Sequence, residues 1–231
     1  MPRAIKPRTD LTSEEGLNVA EAPSTARTTF RHGDLRRALL DAGIDMARGG
    51  GPEAVVLREA TRRAGVVPNA AYRHFHNQAE LLAAVRSASI AALAVAIETE
   101  LNTVRPGKDA ASFARRSLRA VGKAYMDFAL REPGLFHTAF SVPAPVFQPT
   151  NPDNVGHTGM NPFQLLGLAL DRMVEAGILR PKERPGAEFL AWSTVHGMAI
   201  LMLDGPLRGI DEATAQHFGK RLLDMVERGL A

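Results

Sequence analysis

Cysteine is absent from the 231 residues, which excludes a disulfide scaffold, a thiolate-bound zinc and thiol catalysis. Charge of one sign is not in strong excess either. Twenty-eight Lys and Arg against 25 Asp and Glu leave a formal net charge of +3, which permits a nucleic-acid partner without requiring one, so charge placement must decide. No uninterrupted apolar stretch approaches the roughly 18 residues of a membrane span. The most apolar region, residues 189–203, is broken by Ser193, Thr194 and His196 and reads as a buried core helix. The opening residues, MPRAIKPRTDLTSEEG, carry no apolar core of the signal-peptide kind, and a cytoplasmic location is expected. Gly-rich phosphate loops, nucleophile motifs and paired carboxylates with an evident shared site are missing, so an enzyme is not expected. His137, His157 and His196 have no recognisable metal spacing, and no metal or other cofactor is expected.

What the chain does have is enough apolar residue, 45%, to build a real core, arranged with helical rather than alternating periodicity. Leu35, Leu39, Ala42 and Met46 mark a first helix, stopped by Gly49, Gly50, Gly51 and Pro52. A second is expected from residue 53 or 55 to 64, closed by Gly65, and a short third over 68–75, with Pro68 in its first turn. Asn77 suits the N-cap of a long helix over 78–101, with Glu80 completing a capping-box-like pattern. Further helices are expected over 110–130, 135–141, 161–176, 185–203 and 211–228, with a Pro- and Asn-rich loop over 143–159. The fold class is therefore all-α. Residues 1–28 lack apolar periodicity and read as a flexible tail. Residues 29–77 read as a small three-helix domain, and residues 78–231 as a larger helical body.

Residues 54–75 have the form of a helix-turn-helix. Two short helices flank Gly65, where a positive φ is cheap only without a β-carbon. Val55, Leu57, Ala60, Ala64, Val66, Ala71 and Phe75 can face inward. Pro68, Asn69, Tyr72, Arg73 and His76 can face outward, offering donors, acceptors and an aromatic suited to base edges and phosphates. Arg58, Arg62, Arg63 and Arg73 add positive charge nearby, after Arg36, Arg37 and the basic segment 27–32. A three-helix core with an ordinary solvated basic face stays open as the plainer alternative.

The ordered combination FRHGDLRRALLDAG, LREA, RRAGV, YRHF and ELL, across residues 30–86, resembles the N-terminal domain of TetR/AcrR-family regulators. The later WSTVHG, residues 192–197, resembles the Trp-x-x-x-His-Gly signature of one C-terminal domain class of that family. The resemblance implies that residues 68–75 form the recognition helix. It places DNA contacts on Arg31 and His32 ahead of the first helix, on Arg58 of the second, on Val67, Pro68, Asn69, Ala70, Tyr72, Arg73 and His74, and on Gln78. It also implies a homodimer on a palindromic operator, with recognition helices about 34–36 Å apart or a multiple of that. Four positions depart from the family pattern. Val67 stands where a capping serine is common, and Gln78 where a lysine commonly meets phosphate. Ala60, followed by Thr61, and Ala71 replace bulkier aliphatics, which implies a lighter core.

The same resemblance implies that residues 78–231 enclose a small-molecule pocket and dimerise. Phe113, Tyr125, Phe128, Phe136, Phe140, Trp192 and His196 are the candidate lining of a largely apolar effector site, with Tyr125, His137 and His196 as its polar anchors. For each aromatic taken singly, core packing remains the alternative. Leu190, Val195, Leu201, Leu222, Met225 and Val226 are candidates for a four-helix dimer interface. The expected function is a sequence-specific transcriptional repressor released from DNA by an effector; the alternative is a constitutive or architectural dimeric DNA-binding protein without one.

Overall fold

The computed structural model describes residues 32–142 and 151–230. The expected tail 1–28, Arg31 and the side chain of His32 lie outside the described residues. Among the described residues there are nine α-helices and no strand.

Helix α1 spans His32–Gly50. Its stripe of Leu35, Leu39, Ala42 and Met46 is buried, and the glycine run followed by Pro52 ends it. A 3-10 turn follows at Pro52–Ala54. Helix α2, Leu57–Arg63, begins later than residue 53 or 55. Val55 and Val56 are extended instead, as consecutive β-branched residues favour, and Val55 is driven fully into the core. Helix α3 covers only Pro68–Ala71 rather than 68–75. The chain keeps turning beyond it: the Phe75 N–H donates to the Ala71 carbonyl at 3.0 Å. Ala71 and Phe75 therefore still share a buried face, although the helix has ended between them.

Helix α4 spans Gln78–Leu101. Asn77 caps it, its side chain accepting the Glu80 N–H at 2.9 Å. The reciprocal half of the expected capping box is not made. Glu80 reaches His76 instead, accepting from its backbone N–H at 2.7 Å and meeting its ring Nδ1 at 2.8 Å. By length and mean hydropathy, 1.8, α4 would suffice to cross a membrane, a property expected of no segment. Its apolarity has another physical use. Between Leu81 and Leu101 only Ala83 and Thr99 are exposed, because α4 packs against α1 on one side and against helices of the second half on others. A helix that is apolar all round is a core helix when neighbours cover it.

The second half comprises α5 (Ala110–Arg131), α6 (Pro133–Ala139), α7 (Pro162–Glu175), α8 (Ala187–Leu203) and α9 (Glu212–Gly229). Asn161 and Gln164 form a full capping box on α7. Helix α5 is the hub, touching α4, α6, α7, α8 and α9. Helix α6 reaches back to α1, and the joint there is close. A β-carbon on Gly134 would lie 2.5 Å from the Arg48 carbonyl oxygen and closer still to that of Ala47. Arg48 also donates to Glu132 at 2.9 Å, and His137 pairs with Asp204 at 3.0 Å. His137 thus ties α6 to the end of α8 and is not among the residues lining the cavity.

Candidate functional site

The outward face of the helix-turn-helix is built by the turn between α2 and α3. Gly65 has φ +67. Its N–H donates to the Arg62 carbonyl at 3.2 Å, and the Val66 N–H donates to that of Thr61 at 3.1 Å. Those are the paired bonds of a Schellman motif, which closes α2 and reverses the chain in a few residues. Val67 then enters α3 without a side-chain cap, as its lack of a hydroxyl dictates. Ala60 and Ala71 are both fully buried, so the two small residues sit where the helices close on one another.

This geometry leaves Val67, Pro68, Asn69, Tyr72, Arg73 and Gln78 exposed, together with Arg58 on α2; Ala70 and His74 are half-buried. Tyr72 is 52% exposed and Val67 68%, values that hydrophobic burial alone would not select. The four arginines do not contribute equally. Glu59 accepts from Arg62 at 2.7 Å and from Arg63 at 2.9 Å, and these bonds hold its carboxyl at about 2. Arg62 and Arg63 are therefore internally neutralised in part. Among the described residues no carboxylate pairs with Arg58 or Arg73, which leaves these two as the open cations. Arg36 lies over the Phe75 ring at 5.3 Å, clamping the first helix onto the turn that follows α3.

The second half holds a cavity of about 770 Å³, within the range of small-molecule sites. Tyr125, Phe140, Trp192 and His196 line it. Phe113, Phe128 and Phe136 do not. Phe113 stacks under the Arg172 guanidinium at 5.1 Å, and Phe128 is buried elsewhere in the core. Phe136 is fully buried behind the wall, its ring 5.6 Å from that of Tyr125 and 5.5 Å from that of His196. Helical spacing identified the inward face of each helix, but not how far along the axis the cavity runs. Residues passed over as lining include Arg86, Ser87, Asn151 and Asn154. Arg86 had a signal, being a lone charge in the apolar stretch from Leu81 to Ile97.

One wall of the cavity carries a relay of hydrogen bonds. Trp192 Nε1 donates to Tyr125 Oη at 3.0 Å, and Tyr125 Oη lies 2.7 Å from His196 Nδ1. Burial raises the Tyr125 phenol above its ordinary pKa, so it remains a donor. Burial also lowers the His196 pKa, favouring the neutral ring. The consistent proton arrangement has Trp192 donating to Tyr125, Tyr125 donating to Nδ1, and the remaining His196 proton on Nε2. Nε2 has no partner among the described residues. Replacing Tyr125 by Phe leaves Trp192 Nε1 and His196 Nδ1 without partners. The expected loss is about 1–3 kcal/mol, read as a lower denaturation midpoint together with a shift in emission from Trp192, the chain's one tryptophan.

The loop that brings Asn151, Asn154 and Asn161 to the cavity is anchored to α4. Glu98, 5% exposed, accepts from the His157 and Thr158 N–H groups, both at 2.9 Å, and from Thr158 Oγ1 at 2.5 Å. Burial alone would raise this carboxyl, but the hydrogen bonds outweigh it and leave the pKa below its ordinary value. The loop ahead of α7 is thus tied to the helix that begins beside the helix-turn-helix, at Gln78.

A family model for bacterial regulatory proteins of the tetR family matches residues 39–85. A model for the tetracyclin repressor-like C-terminal domain matches residues 118–226. Among solved structures, a protein of unknown function from Rhodococcus sp. RHA1 is 26% identical with a TM-score of 0.69, over 88% of this chain and 99% of that one. The putative regulatory protein SCO4313 shares the fold at 18% identity and a TM-score of 0.50, over 84% of this chain and 96% of that one. No curated protein matches the chain.

Proposed function

The chain belongs to the TetR family of DNA-binding transcriptional regulators, and on that premise we propose that it is a cytoplasmic, homodimeric repressor that leaves a palindromic operator when a small molecule enters the cavity beside Tyr125, Trp192 and His196. Residues 29–77 serve as the reader and residues 78–231 as the effector-binding and dimerisation body. The observation that carries this reading is a single helix with a stake in both sites. Helix α4 is capped at Asn77 beside the reader, supplies Arg86, Ser87, Ile90 and Ile97 to the cavity wall, and holds the cavity loop through Glu98. An effector shifts the balance between operator-bound and released states only if it binds the released state better, and a helix shared by both sites gives that difference a physical route.

The constitutive alternative is not favoured, since a body serving only dimerisation has no use for a relayed polar cluster facing a cavity of about 770 Å³. The DNA contacts fall to Arg31, His32, Arg58, the exposed side chains from Val67 to Arg73, Ala70 and His74 beside them, and Gln78. Support for the dimer comes from the outer faces of α8 and α9. Leu190 is 64% exposed, Leu201 42% and Met225 54%. On α8 the exposed Leu190, Gly197 and Leu201 fall at helical spacing on one side. Val195 faces the other way, buried at 7% against the chain's own α5, so it leaves the candidate interface. The test is a gel shift on the chain's own upstream DNA, paired with light scattering. A specific shift and a dimer mass at micromolar concentration are expected. A strict monomer with no specific shift overturns the reading.

A further inference from the structure

Charge is unevenly distributed around the cavity. Its described lining contains two arginines and no aspartate or glutamate. Arg119 is neutralised by ion pairs with Asp224 and Glu227. Arg86 is not. It is half-buried on α4, and its Nε donates to the Ala139 carbonyl at 3.2 Å. That bond fixes the guanidinium and leaves Nη1 and Nη2 without a partner among the described residues. The segment between Val142 and Asn151, PAPVFQPT, contains no acidic residue that could answer it.

The surroundings of Arg86 are otherwise mixed. Ser87 beside it takes a hydrogen bond from Asn151 Nδ2 at 3.4 Å. Asn154, in the 3-10 turn Pro152–Asn154 that follows Asn151, has a buried Oδ1 with no partner among the described residues. Beyond these, Ile90, Leu118, Phe140 and Trp192 supply apolar wall, with Tyr125 and His196 as polar groups among them. A cation drawn partly out of water with no counter-ion is unfavourable until an anion arrives. An arginine fork with two free nitrogens matches a planar carboxylate.

We propose that the cavity takes an apolar organic acid, its carboxylate on Arg86 and its hydrocarbon or aryl body along Ile90, Phe140 and Trp192, and that an acid of this class is the effector. The unpartnered Asn154 Oδ1 suits a hydroxyl on the same ligand. The proposal deepens the repressor reading above and rests on it for the word effector, while the binding chemistry stands on the cavity alone.

Trp192 is the chain's one tryptophan and lines the cavity, so intrinsic fluorescence reports occupancy directly. The full chain is titrated at pH 8 with decanoate, decan-1-ol and decyltrimethylammonium, each below its aggregation limit. Decanoate is expected to bind about tenfold or more tighter than the alcohol, as one charge-assisted pair provides, and the ammonium more weakly than either. In Arg86→Met, confirmed folded by circular dichroism, the preference for the acid disappears while the alcohol binds as before. Equal binding of acid and alcohol, preference for the ammonium, no binding of any of the three, or an unchanged preference in folded Arg86→Met overturns the proposal. If Arg86→Met does not fold, the three headgroups on the native chain decide alone. The operator gel shift without ligand separates the two readings. A specific shift with no headgroup preference sinks the organic acid only. An Arg86-dependent preference with no shift sinks the repressor and leaves the site.

Discussion

Replacing Tyr72 and Arg73 together by alanine removes specific operator binding and leaves the fold intact. Tyr72 is 52% exposed and Arg73 is exposed beside it, so neither contributes appreciably to the core, and stability should stay within about 0.5 kcal/mol of the native chain. Each contact to a base edge or phosphate is worth about 1–3 kcal/mol. The pair should therefore cost about 2–6 kcal/mol, roughly thirtyfold or more in operator affinity. Loss of the Arg73 charge should also flatten the dependence of log affinity on log salt by about one unit. Arg62→Ala is the informative contrast. Its guanidinium is held by two bonds to Glu59, both 2.7 Å, and its removal leaves that carboxylate to Arg63 alone while deleting a charge already in part neutralised. A smaller loss is expected. Native affinity and specificity in the folded double variant would place the reader elsewhere on the molecule.

The second large effect is expected at Gly134, where α6 meets α1. An added methyl would face two backbone carbonyl oxygens, of Ala47 and Arg48, the latter at 2.5 Å. Flexible side chains can turn away from such a contact; helical carbonyls cannot, so α6 and α1 must separate. Overpacking of this kind costs about 1–3 kcal/mol, and the separation strains the Arg48–Glu132 bond that spans the same joint. Gly134→Ala should lower the denaturation midpoint accordingly. It should also weaken the effect of an effector on operator affinity, because the seam between reader and body lies there. Gly49→Ala is the control. It is exposed in the last turn of α1 with nothing within 4 Å of its added carbon, and alanine there should be neutral or stabilising by up to about 1 kcal/mol. A native midpoint and native effector response in Gly134→Ala would show that the joint is not tight.

Much of this protein was legible in its sequence because it is locally encoded. The glycine run after Met46, the Asn77 cap, the proline opening α3 and the single glycine at position 65 each act within a few residues, and each appears where expected. Errors arose where local preference and tertiary burial part company. Val55 and Val56 fit a helical pattern by spacing, but β-branching and the burial of Val55 draw them out straight. Ala71 and Phe75 keep helical spacing across a turn that is no longer a helix, since one i to i+4 bond suffices to align them. The apolar stretch of α4 is long enough to cross a membrane where that of α8 is not, yet it too is a core helix, because neighbours cover it.

The sequence by itself determined an all-helical chain, the helix-turn-helix and its exposed polar face, and the family to which both halves belong. Periodicity and capping are short-range, and a basic, aromatic surface on a short helix shows in the order of residues. The pairing of Arg62 and Arg63 with Glu59 is likewise local, at i,i+3 and i,i+4 within α2. The tertiary structure alone decided that Arg119 is answered by Asp224 and Glu227 while Arg86 is not, since such pairing depends on where distant side chains meet. It alone decided that Tyr125 joins Trp192 to His196 across 67 and 71 residues of chain, that Phe136 stands behind the cavity wall, and that Arg86 faces into it. A cavity is bounded by residues far apart in sequence, and its depth along each helix axis is fixed by how the helices cross, which no spacing rule within one helix contains.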